Sequence, residues 1–235
     1  MPTTTPAAPA PANLTAELTT HLTSKGLPPS PHWLTHTLLP TLRNPTSTPL
    51  PAIKQTALFR LLATDITAAL AHSPAANRLP PATASGVVKE LVIPGPVAVQ
   101  VLDVEDVGRS RWSQVEALEA RERGEMTKGR EVVRVAAEDG DGAAVLGGAG
   151  PHKLLLVDAA GTRVYGFELF PVQGVGVEKM GIGAKLVLRN AVVARGLVLL
   201  EPKTTTCLGG KVEVLDKAWR EGRLGKLKEA ARMER

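Results

Sequence analysis

The sequence predicts an α+β chain: an N-terminal three-helix bundle, then a five-stranded Greek-key barrel with a long insertion loop, then a C-terminal helix. Leucines recur at helical spacing from Asn13 to Ala71, whereas beyond residue 86 short β-branched runs alternate with glycine turns. Between Val104 and His152, inside the β-rich part, lie 47 residues, far more than a strand connection needs.

The 235 residues have room for one medium domain or two small ones, and a hydrophobic content of 43% supports a core. Aromatic residues are scarce, at 3%. The net charge of +5 is unevenly spread. Asp103–Gly150 holds 7 basic and 11 acidic residues, and the remainder holds 21 and 12. A mildly basic protein with an acidic insertion suits a place near nucleic acid, but the field is far weaker than that of a dedicated DNA binder. The single Cys207 forms no intramolecular disulfide, which fits a reducing cytosol or nucleus. No apolar run reaches membrane-spanning length, and the N-terminus lacks the basic-then-apolar order of a signal peptide. A soluble intracellular protein is expected.

Residues 1–12 (MPTTTPAAPAPA) are low in complexity and predict a disordered tail. The bundle spans 13–72. Leu14, Leu18 and Leu22 make the stripe of its first helix, with Asn13 as N-cap and Gly26 as stop. In the second, Ser30 caps, Pro31 takes the first position, and Trp33, Leu34, Leu38 and Leu42 face inward until Pro40 kinks or ends it. The third collects Ile53, Leu58, Leu61, Leu62, Ile66 and Leu70. So small a core needs support from the next domain.

Residues 73–86 (SPAANRLPPATASG) read as a linker. The domain at 87–210 then offers five strands: Val97–Val104, Leu154–Val157, Val164–Phe170, Lys185–Leu188 and Gly196–Leu200. That number suggests the oligonucleotide/oligosaccharide-binding (OB) architecture. The connection PVQGVGVEKMGIG is too glycine-rich for the helix often found there. In residues 211–235, Val212, Leu215, Trp219, Leu224 and Leu227 predict a helix packed partly on the barrel.

Few residues suggest chemistry. His32 and His36 have the i, i+4 spacing of zinc ligands, but no Glu follows His32, and a solvated face explains them better. Cys207 has no CxxC companion and reads as a small buried hydrophobe. Lys211 after LGG is followed by Val, so the phosphate-loop motif fails. With no nucleophile–base signature, no enzyme, metal or cofactor is expected. Single-strand binding is the rival function. It requires aromatic platforms within a basic groove, for which Tyr165 and Phe167 share a face and Lys153, Arg163, Lys185, Arg189 and Arg195 offer cations. Phe167 is assigned instead to the core, and scattered Lys and Arg are ordinary on a strand domain's surface.

The insertion is what a plain β domain explains least. Ser113-Gln114-Val115-Glu116 reads as a capping box opening a helix that runs to about Arg123 and stops at Gly124, with Glu119 and Arg123 as an i, i+4 pair. Trp112 stands before the cap, and Val115 and Leu118 share one side. A tryptophan beside a short amphipathic helix fits an arm for a protein partner; a disordered insertion with an incidental helix is the alternative.

Longer matches point the same way. The runs PHKLLLVDAAGTRVYGFELFPV, GIGAKLVLRNAVVARGLVLLEP and CLGGKVEVL, with FRLLATDI, VQVLDVEDVGRSRWSQVEAL and TKGRE, resemble the RecQ-mediated genome instability protein 1 family in a compact fungal-type form. The resemblance covers about residues 13–225 and implies a helical bundle followed by an OB barrel. It implies a nuclear, non-catalytic subunit of a RecQ-family helicase–topoisomerase III complex that dissolves double Holliday junctions without crossover, meeting DNA junctions mainly through the complex. The type IA topoisomerase would supply the cutting tyrosine and the metal. The insertion, about Glu105–Gly150, would be the decatenation loop that enters the topoisomerase gate, with Arg111, Trp112, Ser113, Gln114 and Leu118 in its matching part and Val115 beside them. Its acidic balance would pair with a basic cavity wall or discourage retained DNA. The chain ends soon after the first barrel, so partners of the second barrel of animal relatives are not expected.

Overall fold

The computed structural model describes residues 11–42, 48–72, 77–123 and 150–233. Residues 1–10 of the expected N-terminal tail and the part of the insertion from Gly124 to residue 149 lie outside these, whereas Pro11 and Ala12, expected in the tail, and Asn13, expected as the cap, are already within the first helix.

Helix α1 (Pro11–Ser24) buries Leu14, Leu18 and Leu22. It ends where Gly26 takes a φ of +83° and Leu27 N–H donates to Leu22 C=O at 3.0 Å, a turn that glycine enters without strain. Helix α2 (Pro31–Trp33) opens after Ser30, whose side chain makes no cap bond, contrary to expectation. It widens into a π-helical turn over Leu34–Leu38 and closes in a 3-10 turn over Leu39–Thr41. Pro40 has no N–H to continue an α ladder, and the wider turn keeps Trp33, Leu34 and Leu38 all buried.

The third expected helix is two. Helix α3 (Leu50–Leu62) buries Ile53, Ala57 and Leu61, and Lys54 reaches Glu17 of α1 at 2.7 Å. After a turn, α4 (Ile66–Ala69) starts at Asp65, which accepts from Thr67 N–H at 2.9 Å. Ile66 and Leu70 are still buried, because the helical core continues onto Ala98, Val157 and Ala159 of the barrel. The bundle therefore completes its core on its neighbour. The linker is docked too: Leu79 is buried and its N–H donates to Asp158 Oδ2 at 2.9 Å.

Eight strands form one curled sheet in place of the five expected. They are β1 (Glu90–Ile93), β2 (Val97–Asp106), β3 (His152–Asp158), β4 (Arg163–Glu168), β5 (Lys185–Leu188), β6 (Ala191–Ala194), β7 (Leu197–Leu200) and β8 (Thr205–Gly209), in the spatial order β1-β6-β7-β4-β3-β2-β5-β8. β7 pairs in parallel with β4, and after a turn at Glu201–Thr204 β8 pairs antiparallel with β5. These two consecutive strands thus join the ends of the curl as one closing strand broken near Pro202. Val99, Val101, Leu154, Leu156, Leu186 and Val198 fill the interior. The 171–183 connection forms turns, and its Val172, Val175, Val177, Met180 and Ile182 plug the curl.

Helix α6 (Glu213–Met233) returns across the sheet. It is tied down by Trp219, whose Nε1–H donates to Asp103 at 2.5 Å, and by Asp216, which accepts from Ile182 N–H at 2.9 Å. Among the described residues no helix is long and apolar enough to cross a membrane.

Candidate functional site

The insertion leaves and rejoins the sheet at one point. Val107 N–H donates to Pro151 C=O at 3.0 Å, and Gly108 and Gly150 pass so closely that a Cβ on either would lie 2.3 Å from the other's Cα. β2 runs through Glu105 to Asp106, so the insertion starts later than the sequence suggests.

From this root rises α5 (Arg111–Glu122). Its cap is Ser110, not Ser113: the Ser113 N–H donates to Ser110 Oγ at 3.1 Å. Trp112 consequently lies inside the first turn instead of before the cap. Gln114 is buried and donates from Nε2 to the carbonyls of Asp106 and Arg109 at 2.9 and 3.1 Å, while Val115 is 1% exposed. These two residues fasten α5 to the protein. Arg111 and Leu118 are half-buried, Ser113 is exposed, and Trp112 is 42% exposed. Farther along, Glu119 receives Lys228 of α6 at 2.6 Å and Arg123 at 3.9 Å. The Lys228 hydrogen bond holds its carboxyl below the usual carboxylate range.

Between α5's root, the end of β2 and α6 lies a cleft of about 520 Å³, lined among others by Asp103, Asp106, Arg109, Trp219 and Arg223. Arg223 lies over the Trp219 ring at 5.1 Å, and burial pushes its guanidinium below its ordinary value. The sequence put Trp219 on a packing stripe but gave no sign of Asp103 or Arg223, because their meeting depends on where α6 returns.

The proposed nucleic-acid contacts separate. Lys153, Arg163 and Tyr165 stand on the outer face of β3 and β4, with the Lys153 ammonium 4.5 Å from the Tyr165 ring and 3.7 Å from Glu105. Phe167 is not in the core as expected. Val164, Gly166 and Glu168 turn inward, so Phe167 shares the outer face with Tyr165, near exposed Leu169 and Phe170. Arg189 follows β5, which two strands separate from β4, and its guanidinium lies beside Gly26; Arg195 is exposed at the β6–β7 turn.

Lys185 is no phosphate contact. It is fully buried, and its ammonium donates to the carbonyls of Leu62, Thr64 and Gly183 at 3.0, 2.6 and 2.8 Å. Burial lowers its pKa to about 8, against an opposing pull from Asp65. Beside it the buried Gln100 accepts from Ile66 N–H and donates to Asp65, both at 2.9 Å. Lys185 and Gln100 therefore bolt the helical unit to the barrel. A second buried pair, His152 Nδ1 and Glu168 Oε2 at 2.6 Å, braces the strand on which the insertion ends. Cys207 is half-buried against the barrel core. His32 and His36 are both exposed with rings 4.7 Å apart, and among the described residues no three His, Cys, Asp or Glu gather to hold a metal.

A helical unit bolted to an OB barrel, with a helix packed at the root of the barrel's longest connection, defines an OB-fold protein with a helical insertion. Residues 72–223 match the family model described as RMI1, N-terminal OB-fold domain, and residues 22–69 match RMI1, N-terminal helical domain. RecQ-mediated genome instability protein 1 of Schizosaccharomyces pombe is 31% identical over 231 residues, which cover 90% of this chain and 94% of that protein. The chain belongs to the RecQ-mediated genome instability protein 1 family.

Proposed function

We propose that this protein is a nuclear, non-catalytic accessory subunit in a genome-stability pathway of a RecQ-family helicase, where it joins a type IA topoisomerase III. There it stimulates decatenation and double Holliday junction dissolution by placing its insertion at the topoisomerase gate. The observation that carries this is α5: Gln114 and Val115 fix the helix to the protein, while Trp112, one turn earlier, keeps 42% exposure at the insertion's root. Large aromatics on rigid supports are the usual anchors of protein interfaces. To ease strand passage, the arm must favour one gate state over the other; a tenfold preference corresponds to about 1.4 kcal/mol.

The test is Trp112→Ala, read by topoisomerase III binding, stimulated decatenation and the melting temperature of the free protein. Loss of an anchor costs about 2 kcal/mol or more, roughly thirtyfold in affinity, with little thermal shift. A drop of several degrees with unchanged affinity would show that Trp112 serves its own fold instead. A second function, single-strand binding, draws on Tyr165 and Phe167 sharing an outer face with Lys153 and Arg163. Lys153 already occupies space over the Tyr165 ring, so weak binding is expected, in the non-specific range of about 10⁻⁴–10⁻⁶ M. Sub-micromolar binding to labelled single-stranded DNA, abolished by Tyr165→Ala, would make DNA the primary ligand.

A further inference from the structure

Among the described residues strand β8 is paired on one side only, with β5. Its other edge opens on a groove of about 630 Å³ whose far wall is the 172–181 connection. Clefts that bind small ligands fall in the range of about 300–1,000 Å³, so a short extended segment has room.

The backbone along this edge is set up for pairing. Arg189 N–H donates to Thr204 C=O at 2.8 Å, which fixes the phase of the antiparallel ladder. Alternation then turns the backbone of Thr206 toward β5 and that of Cys207 toward the open side. An open edge of this kind is a template for another strand. The Thr205 side chain adds an independent sign: it is 4% exposed, lines the groove, and its hydroxyl has no hydrogen-bond partner among the described residues. Buried hydroxyls are nearly always satisfied, so one left open beside a groove marks a place that an incoming polar group completes.

Charge narrows the occupant. Among the described residues Lys179 is the one charged side chain lining the groove, and Lys203 is next in the chain to Pro202, which also lines it. Both are exposed, neither makes an ion pair among the described residues, and no carboxylate lines the groove. Val172 and Met180 supply an apolar floor.

We propose that the free edge of β8 is a docking site for an extended acidic segment of a protein partner, which adds to the sheet as a further strand. Main-chain bonds to the edge give affinity, the cationic rims select acidic side chains, and the floor takes alternate apolar ones. Nucleic acid shares the negative charge but has no amide ladder to offer β8.

The test uses the full chain and a fluorescein-labelled peptide of alternating Glu and Val, read by anisotropy. Two versions of the peptide carry N-methyl groups on alternate amides, one in each phase. Saturable binding is expected, with one N-methyl phase weakened at least about tenfold and the other little changed, as strand pairing of period two demands. Lys179→Glu with Lys203→Glu, a pair of surface changes checked by an unaltered melting temperature, should weaken binding at least about tenfold. Thr205→Val should weaken it severalfold. Absence of saturable binding, equal binding of both N-methyl phases, indifference to the double charge reversal, or displacement by oligothymidylate as effective as by unlabelled peptide would each overturn the proposal.

Discussion

Replacing Lys185 by Met would remove one buried cation and leave its aliphatic shape. Three carbonyls, of Leu62, Thr64 and Gly183, would lose their donor. A buried polar group left unpaired costs about 1–3 kcal/mol, so at the middle of that range the three outweigh the relieved desolvation and the variant should be less stable at pH 7 by about 3 kcal/mol. The pH dependence is the sharper test. Burial lowers the Lys185 pKa from 10.5 to about 8. Between these values the unfolded chain holds a proton at Lys185 that the folded protein has released. Stability from this site is therefore lowest below pH 8 and rises until about pH 10.5, by about 3 kcal/mol. Urea denaturation of wild type and Lys185→Met at several pH values between 7 and 10.5 gives the difference, in which every other titrating group cancels. Wild type should pull steadily ahead. Three carbonyls favour an ammonium, with its three donors, over an amine. A flat difference across the window would show that they hold the charge as firmly as water does, and would refute the desolvation argument.

Glu168 lies on the opposite side of the same linkage. Burial works to raise its carboxyl, but the hydrogen bonds from His152 and from Val172 N–H prevail and bring it below the usual range. Glu168→Gln should therefore destabilise at pH 7 and matter progressively less as pH falls through that lowered value, in acid-unfolding curves of the two proteins. Gly183→Ala should cost more than the roughly 1–3 kcal/mol of a left-handed residue, because its φ is +95° and a Cβ would lie 2.3 Å from Val212 N; calorimetry of the variant checks this. Ser110→Ala should loosen α5 by about 1 kcal/mol and speed amide exchange in its first turn, while Ser113→Ala should leave exchange there nearly unchanged. The reverse outcome would restore Ser113 as the cap.

Helix positions were readable where a stripe met a stop, as at Leu14, Leu18, Leu22 and Gly26, since such signals act within a few residues. The missed strands Glu90–Ile93, Ala191–Ala194 and Thr205–Gly209 are only four or five residues long, and neighbours on other parts of the chain decide whether so short a run pairs. In the insertion, Trp112 stands out because tryptophan is rare here, but the helix starts three residues earlier than its sequence signal indicates. Ser110 and Ser113 are equally good caps by type, and the packing of Gln114 and Val115 chose between them. Lys185 could not be assigned from sequence. A lysine in a strand reads as surface, and only the docking of α3 against β5 encloses it. For the same reason Phe167 was turned the wrong way: the flanking Gly166 and Glu168 face the interior, a pattern that hydropathy alone argues against.

The crossing of Gly108 and Gly150 behaves like a clasp on a necklace. Besides α5, which Gln114 and Val115 fasten, the barrel meets the insertion only at the two glycines and the single bond from Val107 to Pro151 that closes them, among the described residues. Loop-closure entropy grows only with the logarithm of length, about 0.6 kcal/mol for each doubling, so the barrel is nearly indifferent to how much chain the clasp retains. Selection is then free to lengthen, shorten or recharge the insertion beyond α5 without renegotiating the fold. The constraint falls on the clasp itself, where a methyl group on either glycine would force the two chains apart.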